Sequence, residues 1–191
     1  MSKEELRAEA LYSRRKISIS QLARESLLVQ ENLAAQDEYR EAKLVVCYVS
    51  RDYEVQTTGI IVRMLAEGKR VAVPLVDDPS HSLLFFGISG LDELSPGRFG
   101  VLEPGRGSER VTLSETDLVL VPLVAWDDRG HRIGYGRGYF DRALAMRGPS
   151  LAIGLALESQ HIQTIPEVPS DVSMDVVVTE KRVLRFARSS V

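Results

Sequence analysis

The chain carries a single cysteine, Cys47, a single tryptophan and three histidines in 191 residues. One thiol cannot close an internal disulfide, which fits a reducing compartment, and it rules out a cysteine-rich metal site. Lysine and arginine total 24 against 27 acidic residues, a net charge of −3, so no basic excess points to nucleic acid. No apolar run approaches the ~18 residues of a membrane helix. The opening MSKEELRAEA is charged and lacks the apolar core of a secretory signal. Repeats and low-complexity tracts are missing too. What remains, 44% hydrophobic and 27% charged, is the balance of a globular protein. The expectation is one soluble, cytoplasmic domain over 1–191 with neither membrane nor nucleic-acid partner. The oligomeric state is left open, a monomer included.

Periodicity supplies the organisation. Ser2 to Glu5 reads as a capping box, which predicts a helix of roughly three turns. A second helix is predicted over 20–39, with Leu22, Val29 and Leu33 on one stripe. KLVVCYVS (43–50) then switches to a short β-branched run, the pattern of a buried strand. TTGIIVRMLAEGK reads as a helix stopped by Gly68, and RVAVPLV as a second buried strand ended by Pro74. SLLFFGI and DLVLVPLVA look like further strands. Residues 138–147 read as a helix closed by Gly148, and SLAIGLAL, MDVVVTE and VLRF supply three more apolar runs. Strands and helices alternating at this spacing predict right-handed crossovers and an open, mainly parallel α/β sheet with helices on both faces. The stretch 77–116, richer in Gly, Pro, Ser and charge, predicts loops and an antiparallel edge.

The most informative stretch is GHRIGYGRGYFDRAL, residues 130–144, with Gly134, Gly136 and Gly138 on alternate positions. In an open α/β sheet, ligands bind outside the carboxyl ends of the strands. Glycines there let the backbone approach a phosphate closely. Arg132 and Arg137 add fixed charges whose planar forks match phosphate oxygens. Asp141, just behind, suits magnesium, which takes one or two carboxylates plus phosphate oxygens. The spacing is neither the dinucleotide fingerprint nor a Walker A loop, and a plain flexible turn remains the alternative. His81, His131 and His161 are scattered without partners, so no nucleophile–base pair is visible.

PLVAWDDRGHRIGYGRGYFDRAL resembles the signature of the 5-formyltetrahydrofolate cyclo-ligase (5,10-methenyltetrahydrofolate synthetase) family, roughly P-G-L-A-F-D-x-x-G-x-R-L-G-x-G-x-G-Y-Y-D. Weaker features follow in the family's order: an early Lys-x-x-x-Arg, YVSRDYEVQT after the first strand, FGVLEP in the middle, and Q…IP…D…DVVVTE near the end. The resemblance implies a Rossmann-like open sheet similar to sugar-phosphate isomerases and CoA transferases. It also implies ATP, magnesium and a reduced folate as ligands. ATP would be held by Lys3 and Arg7 and by the loop Arg132, Ile133, Gly134, Tyr135, Gly136, Arg137, Gly138, Tyr139 and Phe140. Arg137 and Lys3 would stabilise the phosphoryl group in transit. Magnesium would fall to Asp141 and Asp175, and the folate to Glu54, Phe99, Glu103 and Tyr139. The chain departs from the pattern at Phe140 for the second tyrosine, at Tyr135 where Arg or Lys is common, at Trp126 for Phe, and at Ser170 for His.

The implied reaction needs no protein nucleophile. Phosphorylation of the formyl oxygen of 5-formyltetrahydrofolate makes that oxygen a leaving group, and N10 of the folate then closes the ring to give the 5,10-methenyl product. Two other classes stay in view: an isomerase or acyl-CoA transferase on the same architecture, and a nucleotide- or folate-binding regulator without chemistry.

Overall fold

The computed structural model describes residues 1–77, 79–105 and 107–187. The chain opens with three helices, α1 (Lys3–Arg14), α2 (Ile19–Ala34) and α3 (Asp37–Glu41). The capping box at α1 is complete, the Ser2 hydroxyl accepting from the Glu5 backbone while the Glu5 carboxylate accepts from the Ser2 backbone. The helix expected over 20–39 is broken instead. Gln36 takes an extended conformation, and the chain restarts with Asp37 and Glu38 in the first turn of α3, where acids favour a helix start. The break turns Tyr39 into the core.

The main sheet contains β1 (Leu44–Cys47), β2 (Arg70–Asp77), β3 (Ser82–Ile88), β6 (Arg110–Val111), β7 (Leu118–Pro122), β10 (Leu151–Leu155), β11 (Val176–Val178) and β12 (Val183–Arg185). Their order is β12-β11-β10-β7-β1-β2-β3-β6. The five central strands are parallel, and the outer ones antiparallel. Pro74 lies inside β2 rather than at its end. Pairing with β1 stops at Val46↔Ala72, so the proline sits past the parallel ladder, where its missing N–H breaks nothing. Two small hairpins stand apart from this sheet: β4 (Leu94–Pro96) with β5 (Leu102–Pro104), and β8 (Ala125–Trp126) with β9 (Arg132–Ile133). The run DLVLVPLVA is therefore two strands, β7 in the sheet and β8 outside it.

Alternating side chains of β1 feed two cores. Val45 and Cys47 pack with Leu22, Val29 and Leu33 of α2 and with Ile60, Ile61 and Met64 of α4 (Thr58–Ala66). Leu44 and Val46 belong to the opposite cluster, which includes Leu144 of α5 (Tyr139–Leu144). Helices thus cover both faces, which is why the central strands are apolar throughout. Counting only the five parallel strands in chain order, the sheet runs 2-1-3-4-5. Its order reverses between β1 and β7, so the crevice for ligands is expected at their carboxyl ends.

Candidate active site

A cleft of about 1150 Å³ opens there. Its walls come from five places. Helix α1 contributes Lys3 and Arg7, the loop after β1 contributes Glu54, and the β4–β5 hairpin contributes Phe99 and Glu103. Gly134 to Asp141 form the fourth wall, and Asp175, at the head of β11, the fifth. Every residue that the resemblance assigns to a ligand lines this cleft except Ile133. That side chain is fully buried against Val124, Ala125 and Ile165, and its carbonyl accepts from Val124 N–H. Ile133 therefore anchors the loop from behind, and its side chain does not line the cleft.

The glycine loop owes its shape to local constraints. Gly136 has φ +93, and a Cβ there would lie 3.1 Å from the Arg7 guanidinium carbon. Only glycine permits both the left-handed turn and the packed arginine. Gly138, at φ 65, begins α5. Arg7 donates from Nε to the Gly134 carbonyl at 2.8 Å, so α1 and the loop are one wall. Helix α5 has six residues, and the side-chain cations rather than its dipole set the local field.

Those cations are not equivalent. Arg132 is buried, and its guanidinium donates to Asp141 Oδ1 at 2.7 Å and to the Val172 carbonyl. Burial pulls the Arg132 pKa down and Asp141 pulls it back. It positions the carboxylate instead of projecting a free charge. Lys3 is paired with Asp171. Burial alone would raise the Asp171 carboxyl, but Lys3 and the Val168 N–H outweigh it and hold it below the carboxylate range. Arg137 makes no ion pair among the described residues, and its guanidinium carbon lies 4.6 Å from the Phe99 ring centroid.

The carboxylates differ as well. Asp141 receives Arg132 and the Val172 N–H on Oδ1, which leaves Oδ2 with no donor among the described residues. Asp175 is engaged on both oxygens, by Arg147 Nη2 at 3.0 Å and by Ala152 N–H at 2.7 Å. No group of three or more His, Cys, Asp or Glu able to hold a metal occurs among the described residues. One carboxylate with a free oxygen still fits magnesium, whose other ligands come from phosphates and water. Glu103 accepts from the Val76 N–H at 3.2 Å, and a Cβ on Gly97 would collide with its carboxylate at 2.3 Å.

Glu54 is 5% exposed and accepts from the Arg51 N–H at 2.9 Å. Burial pushes its carboxyl up, against the pull of that N–H, of Arg14, of Tyr135 and of the Arg51 charge. Arg14 was not anticipated from the sequence, although the signal was present. Positions 3, 7 and 14 fall on one stripe of a helix, and α1 aims all three cations at the cleft side. Arg51, Arg142 and Arg147 were also missed, because only the fold brings them to the cleft.

An open α/β sheet with a cation-lined cleft at its switch point defines an α/β protein that binds small molecules at the carboxyl ends of its strands. Comparison with known proteins sharpens that class. The model of the 5-formyltetrahydrofolate cyclo-ligase family matches residues 1–180. The 5-formyltetrahydrofolate cyclo-ligase of Haemophilus influenzae is 32% identical over 146 residues, 74% of this chain and 78% of the relative. A probable 5-formyltetrahydrofolate cyclo-ligase of Caenorhabditis elegans is 32% identical over 183 residues, 90% of this chain and 89% of the relative. The solution structure of Aquifex aeolicus 5,10-methenyltetrahydrofolate synthetase superimposes with a TM-score of 0.87 at 33% identity, covering 100% of this chain and 96% of that one. The chain belongs to the 5-formyltetrahydrofolate cyclo-ligase family, and it is a ligase of folate metabolism.

Proposed function

We propose that this single-domain chain converts 5-formyltetrahydrofolate to 5,10-methenyltetrahydrofolate with release of ADP and phosphate from ATP, and that the glycine-loop wall takes ATP while the Glu54–Phe99 side takes the folate. The observation that carries this division is the cleft's size and polarity. At about 1150 Å³ it exceeds the range of ~300–1,000 Å³ usual for one drug-sized ligand. Lys3, Arg7, Arg132 and Arg137 stand on α1 and the glycine loop, while Glu54, Phe99 and Glu103 stand on the loop after β1 and the β4–β5 hairpin.

The chemistry follows from the residues. A formamide carbonyl is a weak electrophile, so its oxygen must first become a leaving group. Transfer of the γ-phosphoryl to that oxygen does this; N10 then attacks the activated carbon and gives up its proton, and the carbon–oxygen bond breaks as phosphate departs with the former formyl oxygen. Both nucleophiles belong to the folate. The protein supplies alignment and charge neutralisation, the main contributions in phosphoryl transfer. Arg137, which has no ion pair among the described residues, can follow the phosphoryl group. Lys3 can join it only by loosening from Asp171, which makes that pair a gate for the charge. Arg7 fixes the loop while facing the cleft. Asp141, aligned by Arg132, would hold magnesium with its free oxygen, and the ion when bound would share the phosphate charge. Asp175 acts one step back by holding Arg147 against β10. Glu54 accepts hydrogen bonds from pterin N–H groups, Phe99 offers a stacking face, Glu103 adds a second acceptor, and Tyr139 stands between the two ligands.

The test is to mix protein, ATP, magnesium and 5-formyltetrahydrofolate and follow methenyl absorbance near the visible edge. The expected result is a band that requires all four components and is accompanied by ADP. Methenyl product without ATP consumption, or tight binding of both ligands without product, overturns the proposal.

A further inference from the structure

One guanidinium, that of Arg142, holds the end of the glycine loop in place. It projects from α5 and lines the cleft. Its Nε–H donates to the His81 carbonyl at 2.8 Å, and Nη2 donates to the Arg137 carbonyl at 2.9 Å. The remaining nitrogen, Nη1, stands 2.9 Å from the point where a Cβ on Gly138 would lie. The guanidinium carbon is 5.4 Å from the Tyr139 ring centroid. The residue is exposed, so water competes for either bond alone. Both bonds come from one pre-organised planar fork, which loses little freedom in making the second. At the far end is the turn between β2 and β3, where His81 has φ 49. A non-glycine residue keeps that left-handed backbone only when its surroundings hold it, and the bond to its carbonyl is one such hold.

The bond to Arg137 fixes more than a side chain. A trans peptide is planar, so its C=O and the following N–H point in opposite directions. With the Arg137 carbonyl turned to Arg142, the Gly138 N–H faces away from it. The φ angle is positive at Gly136 and Gly138 but not at Arg137 between them, an alternation that gathers successive N–H groups into an anion-binding hollow. The N–H groups of Gly136, Arg137 and Gly138 have no acceptor among the described residues, and all three residues line the cleft. Flipped, the peptide between Arg137 and Gly138 would present a carbonyl oxygen to that hollow and repel an anion.

We propose that Arg142 is a positioning residue for the nucleotide: it pins the peptide between Arg137 and Gly138 so that the loop meets phosphate oxygens with N–H groups rather than with a carbonyl. This rests on the assignment of the glycine-loop wall to ATP. Arg142 touches no phosphate in this role. What matters is the fork that spans two carbonyls, which a charge alone does not replace. Gly138 serves the same end, since a side chain there would push the guanidinium aside.

The experiment measures affinity for a non-hydrolysable ATP analogue, and separately for 5-formyltetrahydrofolate, in wild type, Arg142→Lys, Arg142→Met, Gly138→Ala and the double variant of the last two. Melting is recorded for each, and the Gly138 amide is followed by NMR as analogue is added. Expected is a loss of about tenfold in analogue affinity for Arg142→Met, the scale of one hydrogen bond to a charged group. Arg142→Lys should lose nearly as much, and folate affinity should change far less in both. The Gly138 amide should shift on adding analogue to wild type and stay in place in Arg142→Met, a signature that a merely structural clip would not remove. Gly138→Ala should cost less affinity in the Arg142→Met background, because the group it displaces is already gone. If Arg142→Lys keeps wild-type affinity, the charge acts directly on the anion and the positioning role is overturned. If Gly136→Val loses the analogue while Arg142→Met keeps it, Arg142 only clips the surface and the inference fails, while the proposed function stands. If neither variant affects analogue binding, the glycine loop is not the nucleotide wall, and both readings fall.

Discussion

The segment from Ala125 to Asp141 has two halves with opposite economies of hydrogen bonding. In the first, Asp127 is completely buried and shares both oxygens among four donors: the N–H groups of Arg129, His131 and Ile165, and the Arg129 guanidinium. Burial by itself would raise that carboxyl, but these donors outweigh it and hold it below its ordinary value. The second half ends on Asp141, whose bonds fall on one oxygen and leave the other open. Two aspartates fourteen residues apart in one glycine-rich motif look alike on paper. One organises a hairpin and the other keeps an oxygen without a donor among the described residues. A buried polar group with every lone pair satisfied is architecture, whereas a held but half-satisfied one at a cleft is a functional candidate.

Asp127→Ala gives the largest effect if this contrast is right. It strips the acceptor from three N–H groups, that of Ile165 fully buried, and stability should fall by about 3–5 kcal/mol, the cost of breaking a buried charged network. Chemical denaturation reads this directly, and the protein that stays folded should retain its turnover. The pH dependence has a fixed sign. A depressed folded-state pKa gives stability that is full above the unfolded value near 3.9 and lost as pH falls through the folded value. Glu54, raised by burial, works in reverse and relieves the fold as it protonates. Replacing Asp127 should flatten the acid limb of stability, and an unaltered limb would reassign it.

Asp141→Asn should do the opposite, leaving the fold nearly intact. The amide oxygen can still accept from Arg132, so melting should move far less than for Asp127→Ala. Turnover should fall by about two orders of magnitude, the scale of losing one electrostatic stabiliser, with partial recovery in excess magnesium. Full turnover at low magnesium would make Asp141 only a partner for Arg132. Between these in mechanism and smaller in size is Gly136→Val. The left-handed φ and the Arg7 contact both oppose a β-branched side chain, and nucleotide affinity should fall by about tenfold or more, ~1.4 kcal/mol, in a folded protein. Unchanged affinity would reduce the loop to a turn.

Much of this was legible before any coordinates. The capping box at Ser2, the apolar strands and the antiparallel character of 77–116 follow from local pattern, and so does the alternation that makes the sheet parallel. Three things were hidden for physical reasons. The break between α2 and α3 has no proline or glycine to mark it, only a restart at Asp37. The departure of β8 from the sheet depends on Asp127 being buried, and no sequence window reports burial. Arg14 reads as an ordinary surface charge because its partners, Tyr53 and Tyr135, lie far away in the chain. The site residues named by resemblance, Ile133 apart, converge on one cleft, but their division of labour, with Arg132 serving Asp141, is a property of the fold.

Phe99 gives the finest test of the contrast between saturated and open groups. It is 42% exposed, with φ 56, a left-handed conformation that costs a non-glycine residue about 1–2 kcal/mol. Arg51 Nη1 holds its carbonyl at 2.8 Å, and Arg137 lies over its ring. An exposed aromatic kept under strain beside a cleft suggests a surface held for a ligand. Phe99→Ala removes the ring but keeps the strain, and Phe99→Gly removes both. Each should weaken folate by about 0.5–1.5 kcal/mol beyond lost area, the value of a stacked aromatic pair. Nucleotide affinity should fall less, because Arg137 loses its platform but keeps its charge. The glycine variant should also be the more stable of the two, since it alone relieves the left-handed backbone. Equal affinity losses with that difference in stability would separate the ring's contribution from the strain that presents it. If nucleotide affinity falls more than folate affinity in both variants, the ring serves Arg137 rather than the pterin, and Phe99 moves to the other wall of the cleft.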